Sequence, residues 1–256
     1  IFLPVLRLLF RKKIIVNIDG LEWQRDKWSR FGKSFLKLSE VMAVQFATDV
    51  VTDNKKIKDY VKQEYNIEST LIPYGADHVN HETITEKIYE QYPFLKAPYI
   101  FKVCRIEPEN NISMILEAFA ELSKTLVIVG NWKNSEYGIT LKEKYDKFTH
   151  IHLLDPIYNQ KILNQIRSNC TLYVHGHSAG GTNPSLVEAM YLGLPIVAYS
   201  AGYNIETTFN SAVYFSNKEE LIDVVINISE DTLIDIGNKM KMLAQEHYRW
   251  SIIAAQ

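Results

Sequence analysis

Residues 174–200 read VHGHSAGGTNPSLVEAMYLGLPIVAYS, and the architecture follows from this stretch. It continues an apolar run that starts at Cys170 (CTLYVHG) and ends in a second one, PIVAYS. Both runs are read as buried strands. Between them Asn183 suits an N-cap and Pro184 the first helical position, which predicts a helix over 184–192. Strands alternating with helices in this way predict a parallel sheet with covering helices.

The alternation extends in both directions. Upstream, PYIFKVC (98–104), TLVIVG (125–130) and HIHLL (150–154) read as strands, with helices over 111–123, 136–148 and 159–168. Downstream, AVYF (212–215) and two helical patterns to about Trp250 close the chain. These make a complete doubly wound domain. A smaller unit precedes it: KIIVNID (13–19), DVVT (49–52) and STLIP (69–73) read as strands, with helical patterns over 23–46 and 54–65 and Asp53 as the N-cap of the latter. The polar, turn-rich stretch 73–97 lacks sustained periodicity. The expected organisation is the back half of a Rossmann-like domain at 1–80, a linker at 81–97 and a complete Rossmann-like domain at 98–256.

The opening IFLPVLRLLFRKK places its basic residues after the apolar run, the reverse of a signal peptide. Arg7 interrupts it, and its length is about half the ~20 residues that a membrane span needs. An amphipathic helix packed on a sheet is expected, the alternative being a basic helix at a membrane surface. Because residue 1 is Ile, the true N-terminus is expected to be missing.

The 256 residues are 46% hydrophobic and 23% charged, which excludes a disordered chain, a fibre or a nucleic-acid-binding arm. A net charge of −2 names no polyanionic partner. The charge is split: residues 1–64 carry 13 basic and 8 acidic side chains (+5), and residues 65–256 carry 15 and 22 (−7). Cys104 and Cys170 lie in strand-like runs without paired spacing, which fits buried thiols in a reducing compartment.

Ligands of open parallel sheets bind beyond the carboxyl ends of the strands, where the strand order reverses. That rule selects the loops after Asp19, Cys104, Gly130, Val174 and Ser200. Within the fourth, Gly176-His177-Ser178-Ala179-Gly180 matches the G-x-S-x-G nucleophile elbow of serine hydrolases. An elbow needs the helix to start directly behind the serine, whereas Asn183 sets the helix start five residues later. Only His247 follows as a base, and it lies in a helical pattern. The other reading is a phosphate or sugar cradle: Gly180 and Gly181 allow close backbone approach, and the helix behind Asn183 presents N–H groups to an anion.

The segment NPSLVEAMYLGLPIVA resembles the stretch with which retaining GT-B glycosyltransferases of family four hold a nucleotide sugar. That family carries two glutamates eight positions apart; Glu188 matches the second, and Gly180 stands where the first would be. NIDGLEWQRDKWSRFGKSF (17–35), CRIEPENNISMILEAF (104–119), GGTNPSLVEAM (180–190) and NIETTFNSAVYF (204–215) are similar to the bacterial rhamnosyltransferase subgroup.

The resemblance implies an α/β GT-B fold of two Rossmann-like doubly wound parallel-sheet domains, the N-terminal one incomplete. It implies transfer of L-rhamnose from dTDP-rhamnose to a polysaccharide precursor with retention. Arg105 would bind the diphosphate and stabilise its growing charge, acting in catalysis together with Asp19. Asn110 stands where the family has a lysine. With Gly180, Gly181, Thr182 and Asn183 it would complete the diphosphate and sugar contacts, while Glu188 would hold the ribose. Asp19, Glu22, Trp23 and Arg25, with Trp28 beside them, would shape the acceptor side. No cofactor is implied and no metal is expected, since His175/His177 and His78/His81 each lack a third ligand nearby. A lipid-linked saccharide acceptor and a cytoplasmic, peripheral position at the inner face of the plasma membrane would suit the basic first unit; no nucleic-acid partner is expected. The rivals are the same fold with another donor, a serine hydrolase using Ser178, and a non-catalytic sugar-nucleotide-binding module.

Overall fold

A computed structural model describes residues 3–25 and 28–255 of the chain. The motif at 17–35 and the helical pattern at 23–46 therefore each run through two residues, Asp26 and Lys27, that lie outside the described ones.

The first unit comprises α1 (Leu3–Leu8), β1 (Ile15–Ile18), α2 (Arg30–Phe46), β2 (Asp49–Thr52), α3 (Lys55–Tyr65) and β3 (Thr70–Leu71). Its three strands pair in parallel in the order β1-β2-β3. Ile18 pairs with Thr52, so Asp19 and Asp53 leave the sheet side by side at its carboxyl edge. A short helix, α4 (Glu86–Gln91), leads into the second unit.

That unit begins with β4 (Tyr99–Val103), α5 (Ile112–Glu121), β5 (Thr125–Val129), α6 (Glu136–Tyr145), β6 (Ile151–Leu154) and α7 (Gln160–Arg167). It continues with β7 (Leu172–His175), α8 (Pro184–Tyr191), β8 (Ile196–Tyr199), α9 (Gly202–Thr207), β9 (Val213–Phe215), α10 (Lys218–Asn227), α11 (Glu230–His247) and α12 (Trp250–Ile253). The six strands form one parallel sheet ordered β6-β5-β4-β7-β8-β9. The order reverses between β4 and β7, which is where a doubly wound sheet opens a crevice for ligand.

Period-two alternation, apolar on both faces, makes this a buried central sheet. Phe101, Val127 and Tyr173 face one helical layer with Leu186, Val187 and Met190. Ile100, Leu126, Ile128 and Val174 face the other, with Ile115, Leu116 and Phe119. The first unit has a smaller core of Ile18, Val44, Val50, Ile57 and Val61.

Four local expectations change. The pattern over 23–46 is interrupted: a 3-10 turn, Glu22–Gln24, precedes α2, which starts behind Ser29, whose Oγ accepts from the Gly32 N–H at 3.2 Å. Asn54, not Asp53, caps α3, its Oδ1 accepting from the Lys56 N–H at 2.9 Å. Asp53 is thereby left to face the cleft between the units. The stretch without visible periodicity contains α4 and a 3-10 turn, Pro93–Lys96, and buries Ile84, Ile88 and Leu95 in the second core. Elements this short present too few turns for a periodic pattern. Finally, α1 buries no residue and leaves Leu8, Leu9 and Phe10 exposed, so it is not packed on a sheet. It is tethered by Arg7, whose Nη1 donates to Thr48 Oγ1 at 2.7 Å.

Candidate active site

A cavity of about 340 Å³ opens at the reversal between β4 and β7, lined by Arg105, Asn110, Arg167, His177, Asn183 and Glu188 among others. Arg105 follows the end of β4, and its side chain is 62% exposed, paired only loosely with Glu107 at 3.6 Å. It can turn to a ligand at little cost, because an exposed pair at that distance contributes little.

Asn110 lies in the same wall, but its amide is committed to the protein. Its Nδ2 donates to the Arg105 carbonyl at 2.9 Å and its Oδ1 meets His177 Nδ1 at 3.1 Å. In this way it ties the Arg105 loop to the β7 loop while still lining the cavity. Burial, with Lys102 and Arg25 nearby, pushes His177 down to about 4 and lowers His175 as well, so both imidazoles are neutral near pH 7. Among the described residues no group of three His, Cys, Asp or Glu side chains is placed to hold a metal.

Glu188 points into the cavity from α8, where its carboxylate is held by two partners. Arg167, fully buried, donates through Nη1 to Oε2, and His78 Nε2 lies 3.0 Å from Oε1. Arg167 also donates to Asn164 Oδ1 at 2.7 Å, and its Nε has no partner. Sequence reasoning missed Arg167, because an arginine in the last turn of a helix reads as a complement to the helix dipole. The available signal was its position four residues after Leu163 and beside Ile166, on the buried stripe of α7.

The 180–183 loop is gripped by the first unit. The Gly181 N–H donates to the Asp19 carbonyl at 3.0 Å. Thr182 donates its hydroxyl to the Asp53 carbonyl at 2.7 Å. Asn54 Nδ2 donates to Thr182 Oγ1 at 3.2 Å. Of the donors on this loop, the Gly181 N–H and the Thr182 hydroxyl thus join the two units. The glycines remain necessary for a different reason. Gly180 has φ +135°, and a Cβ on Gly181 would lie 2.0 Å from Asp53 Oδ1. Asn183 is spent as a cap, accepting from the Ser185 N–H at 3.0 Å and its hydroxyl at 2.8 Å.

On the first unit, Asp19 is exposed and lines a second, smaller cavity with Arg25, Asp53, Arg105 and His177. The expected acceptor cluster divides. Trp23 is half-buried against the first core, with the Lys37 ammonium 4.9 Å above its ring. Arg25 bridges the units, meeting Glu22 at 3.0 Å and Glu109 at 3.2 Å, and Trp28 Nε1 donates to Glu22 Oε1 at 3.0 Å. Of that cluster, Asp19 and Arg25 line the cavity.

Ser178 donates its hydroxyl to the Glu109 carbonyl at 3.0 Å, and α8 starts well behind it. A hydroxyl so engaged, on a loop instead of a tight turn, is not an activated nucleophile.

Comparison with known proteins bears on this arrangement. Residues 8–77 match a domain of unknown function (DUF1972), and residues 84–250 match the model for glycosyl transferases group 1. No curated protein matches the sequence. Among solved structures, Anabaena Alr3699/HepE in complex with UDP-glucose superposes with a TM-score of 0.80 at 16% identity, covering 98% of this chain and 72% of that one. Sucrose-phosphate synthase (tll1590) from Thermosynechococcus elongatus gives 0.77 at 16% identity, covering 94% and 65%. A UDP-forming α,α-trehalose-phosphate synthase from Burkholderia xenovorans gives 0.69 at 12% identity, covering 99% and 69%. The chain thus spans about two thirds of the length of these neighbours. With a crevice at the strand reversal, two parallel-sheet units of the GT-B kind and a family match over more than half its length, the chain belongs to the glycosyl transferases group 1 family.

Proposed function

We propose that the protein moves a hexosyl group, L-rhamnose from dTDP-rhamnose, to a polysaccharide precursor with retention of anomeric configuration. The observation that carries the transfer reading is the cavity at the β4/β7 reversal, where a free-swinging Arg105 faces a carboxylate, Glu188, oriented by a buried arginine. The guanidinium of Arg105 would take the diphosphate oxygens and stabilise the charge that grows on them as the glycosidic bond breaks. Glu188 would accept hydrogen bonds from the ribose hydroxyls once His78 yields its oxygen. Asp19, across the cleft, would hold the acceptor hydroxyl, and the departing diphosphate would take its proton in a front-face attack. The neighbour crystallised with UDP-glucose supports a nucleotide sugar as donor; the rhamnose reading rests on the motifs at 17–35, 104–119, 180–190 and 204–215.

The test is release of nucleoside diphosphate and sugar transfer across a panel that includes dTDP-rhamnose, UDP-glucose and UDP-N-acetylglucosamine. Turnover with the thymidine donor is expected; turnover with a uridine donor alone would sink the rhamnose assignment, and tight nucleotide binding without turnover would favour a non-catalytic module. Arg105→Ala is expected to lower kcat about 10²- to 10³-fold while the melting temperature stays unchanged, since an exposed side chain acting on transition-state charge contributes to rate and not to stability.

The acceptor is proposed to be lipid-linked, with the protein peripheral at the cytoplasmic face. No described helix is long and apolar enough to cross a membrane, but Leu8, Leu9 and Phe10 are exposed beside Arg7, Arg11, Lys12 and Lys13. Co-sedimentation with anionic vesicles at low salt, weakened by Arg11→Glu with Lys12→Glu, is the expected result; equal recovery with neutral vesicles would count against it.

A further inference from the structure

We propose that His78 selects the nucleoside of the donor: by holding Glu188 Oε1 it favours a 2′-deoxyribonucleoside diphosphate over the ribonucleoside diphosphate of the same base. The inference rests on the transfer reading above, with Glu188 as acceptor for the hydroxyls of the nucleoside sugar. It concerns a residue that lies between the two matched stretches, 8–77 and 84–250.

A carboxylate only accepts, so in the 3.0 Å bond between the imidazole and Oε1 it is His78 Nε2 that carries the hydrogen. The other oxygen, Oε2, accepts from Arg167 Nη1. Each oxygen of Glu188 therefore has a protein donor before any ligand arrives. The two donors differ in what it costs to move them. Arg167 is wholly buried, and leaving Glu188 would strand an unpaired guanidinium in the interior. The His78 side chain is 47% exposed and can turn out to water.

Its main chain has no such freedom. The Ala76 N–H donates to the Tyr248 carbonyl at 2.7 Å, and the Trp250 N–H donates to Asp77 Oδ1 at 3.0 Å. Val79 is buried, and a Cβ on Gly75 would lie 2.6 Å from the Trp250 ring. The segment cannot withdraw as a whole, so Oε1 is freed only by rotation of the imidazole.

The number of hydroxyls on the ligand then becomes decisive. A ribose presents its 2′- and 3′-hydroxyls side by side, and one carboxylate serves both only when each of its oxygens is open to them. His78 has to leave Oε1, or one hydroxyl stays unpaired against the imidazole. A 2′-deoxyribose presents the 3′-hydroxyl alone, which Glu188 can take with His78 in place. The cost thus falls on the ribose. It is modest, because a site rejects an added hydroxyl far less sharply than a missing one, and a half-exposed imidazole gives way cheaply.

Calorimetric titration with two matched pairs, dUDP against UDP and dTDP against 5-methyluridine diphosphate, separates the 2′-hydroxyl from the methyl group of the base. Wild type is expected to bind the deoxy member of each pair about five- to tenfold tighter. His78→Ala is expected to bring the members of each pair within about twofold, mainly by tightening the ribose member, with a melting temperature within about 2 °C of wild type. His78→Gln, whose amide can still donate to Oε1, should keep part of the preference. Equal binding of both members by wild type, tighter binding of the ribose member, or a preference unchanged in His78→Ala would each overturn selection by His78 and leave a nucleotide-sugar donor standing. Binding of none of the four diphosphates would overturn the transfer reading and the selection together.

Discussion

Glu188→Ala should lower stability by about 3–5 kcal/mol, because it leaves the guanidinium of Arg167, wholly inaccessible to solvent, without its carboxylate. For a chain of this size that corresponds to a drop in melting temperature on the order of 10 °C. His78 at the rim and Asn164 inside do not replace the lost charge, and the Arg167 Nε already lacks a partner. Donor binding should fall with it, so the single variant does not separate support from recognition. The double variant Arg167→Met with Glu188→Leu does. Replacing both members of a buried pair with apolar side chains of similar volume is often close to neutral for stability. The double variant is expected to melt within a few degrees of wild type, by the same reasoning, and yet to bind nucleoside diphosphate about tenfold or more weakly, since ribose hydroxyls have lost their acceptor. If the double variant binds as wild type does, Glu188 is a structural partner of Arg167 and nothing more.

Gly181→Ala is the second large effect. The added methyl would sit 2.0 Å from Asp53 Oδ1, inside any contact distance, with the rest of the carboxyl group only 2.6 Å away. Relief by parting the units would break the Gly181 and Thr182 bonds to Asp19 and Asp53. Overpacking of this kind costs about 1–3 kcal/mol, and where the displaced segment leads into the donor site the expected loss in kcat/KM is about 10- to 100-fold. Residues in direct contact do not add independently. Combined with Asp53→Ala, which removes the clashing oxygen, Gly181→Ala should therefore do no further harm beyond that of Asp53→Ala alone. Fully additive losses would show that Gly181 is needed for some reason other than the approach of Asp53.

The sheet of the second unit was legible because its strands are short apolar runs separated by helical patterns, and the N-cap at Asn183 marked the start of α8 to the residue. Arg105 and Glu188 were singled out by motif, and both line the cavity. Arg167 and Asp53 were not found. Each looks like a helix-end residue in sequence, one as a dipole partner and the other as a cap, and the chemistry of each depends on what lies across the fold. Trp23 shows the reverse: an aromatic beside charged residues suggested a binding face, and the fold lays it, half-buried, against the core of the first unit.

The loop at 180–183 shows the division most sharply. Local rules suffice for its flexibility, its position before a helix and its place at the carboxyl edge of a parallel sheet, since all three depend on neighbours in the chain and on the handedness of parallel crossovers. Which partner its amides meet does not follow from those rules. That depends on two strands more than a hundred residues earlier, β1 and β2, arriving in register so that Asp19 and Asp53 stand together against it. Hydrogen bonding, burial and the titration of a carboxyl group are set by three-dimensional surroundings, and a one-dimensional pattern carries no record of which surroundings those will be.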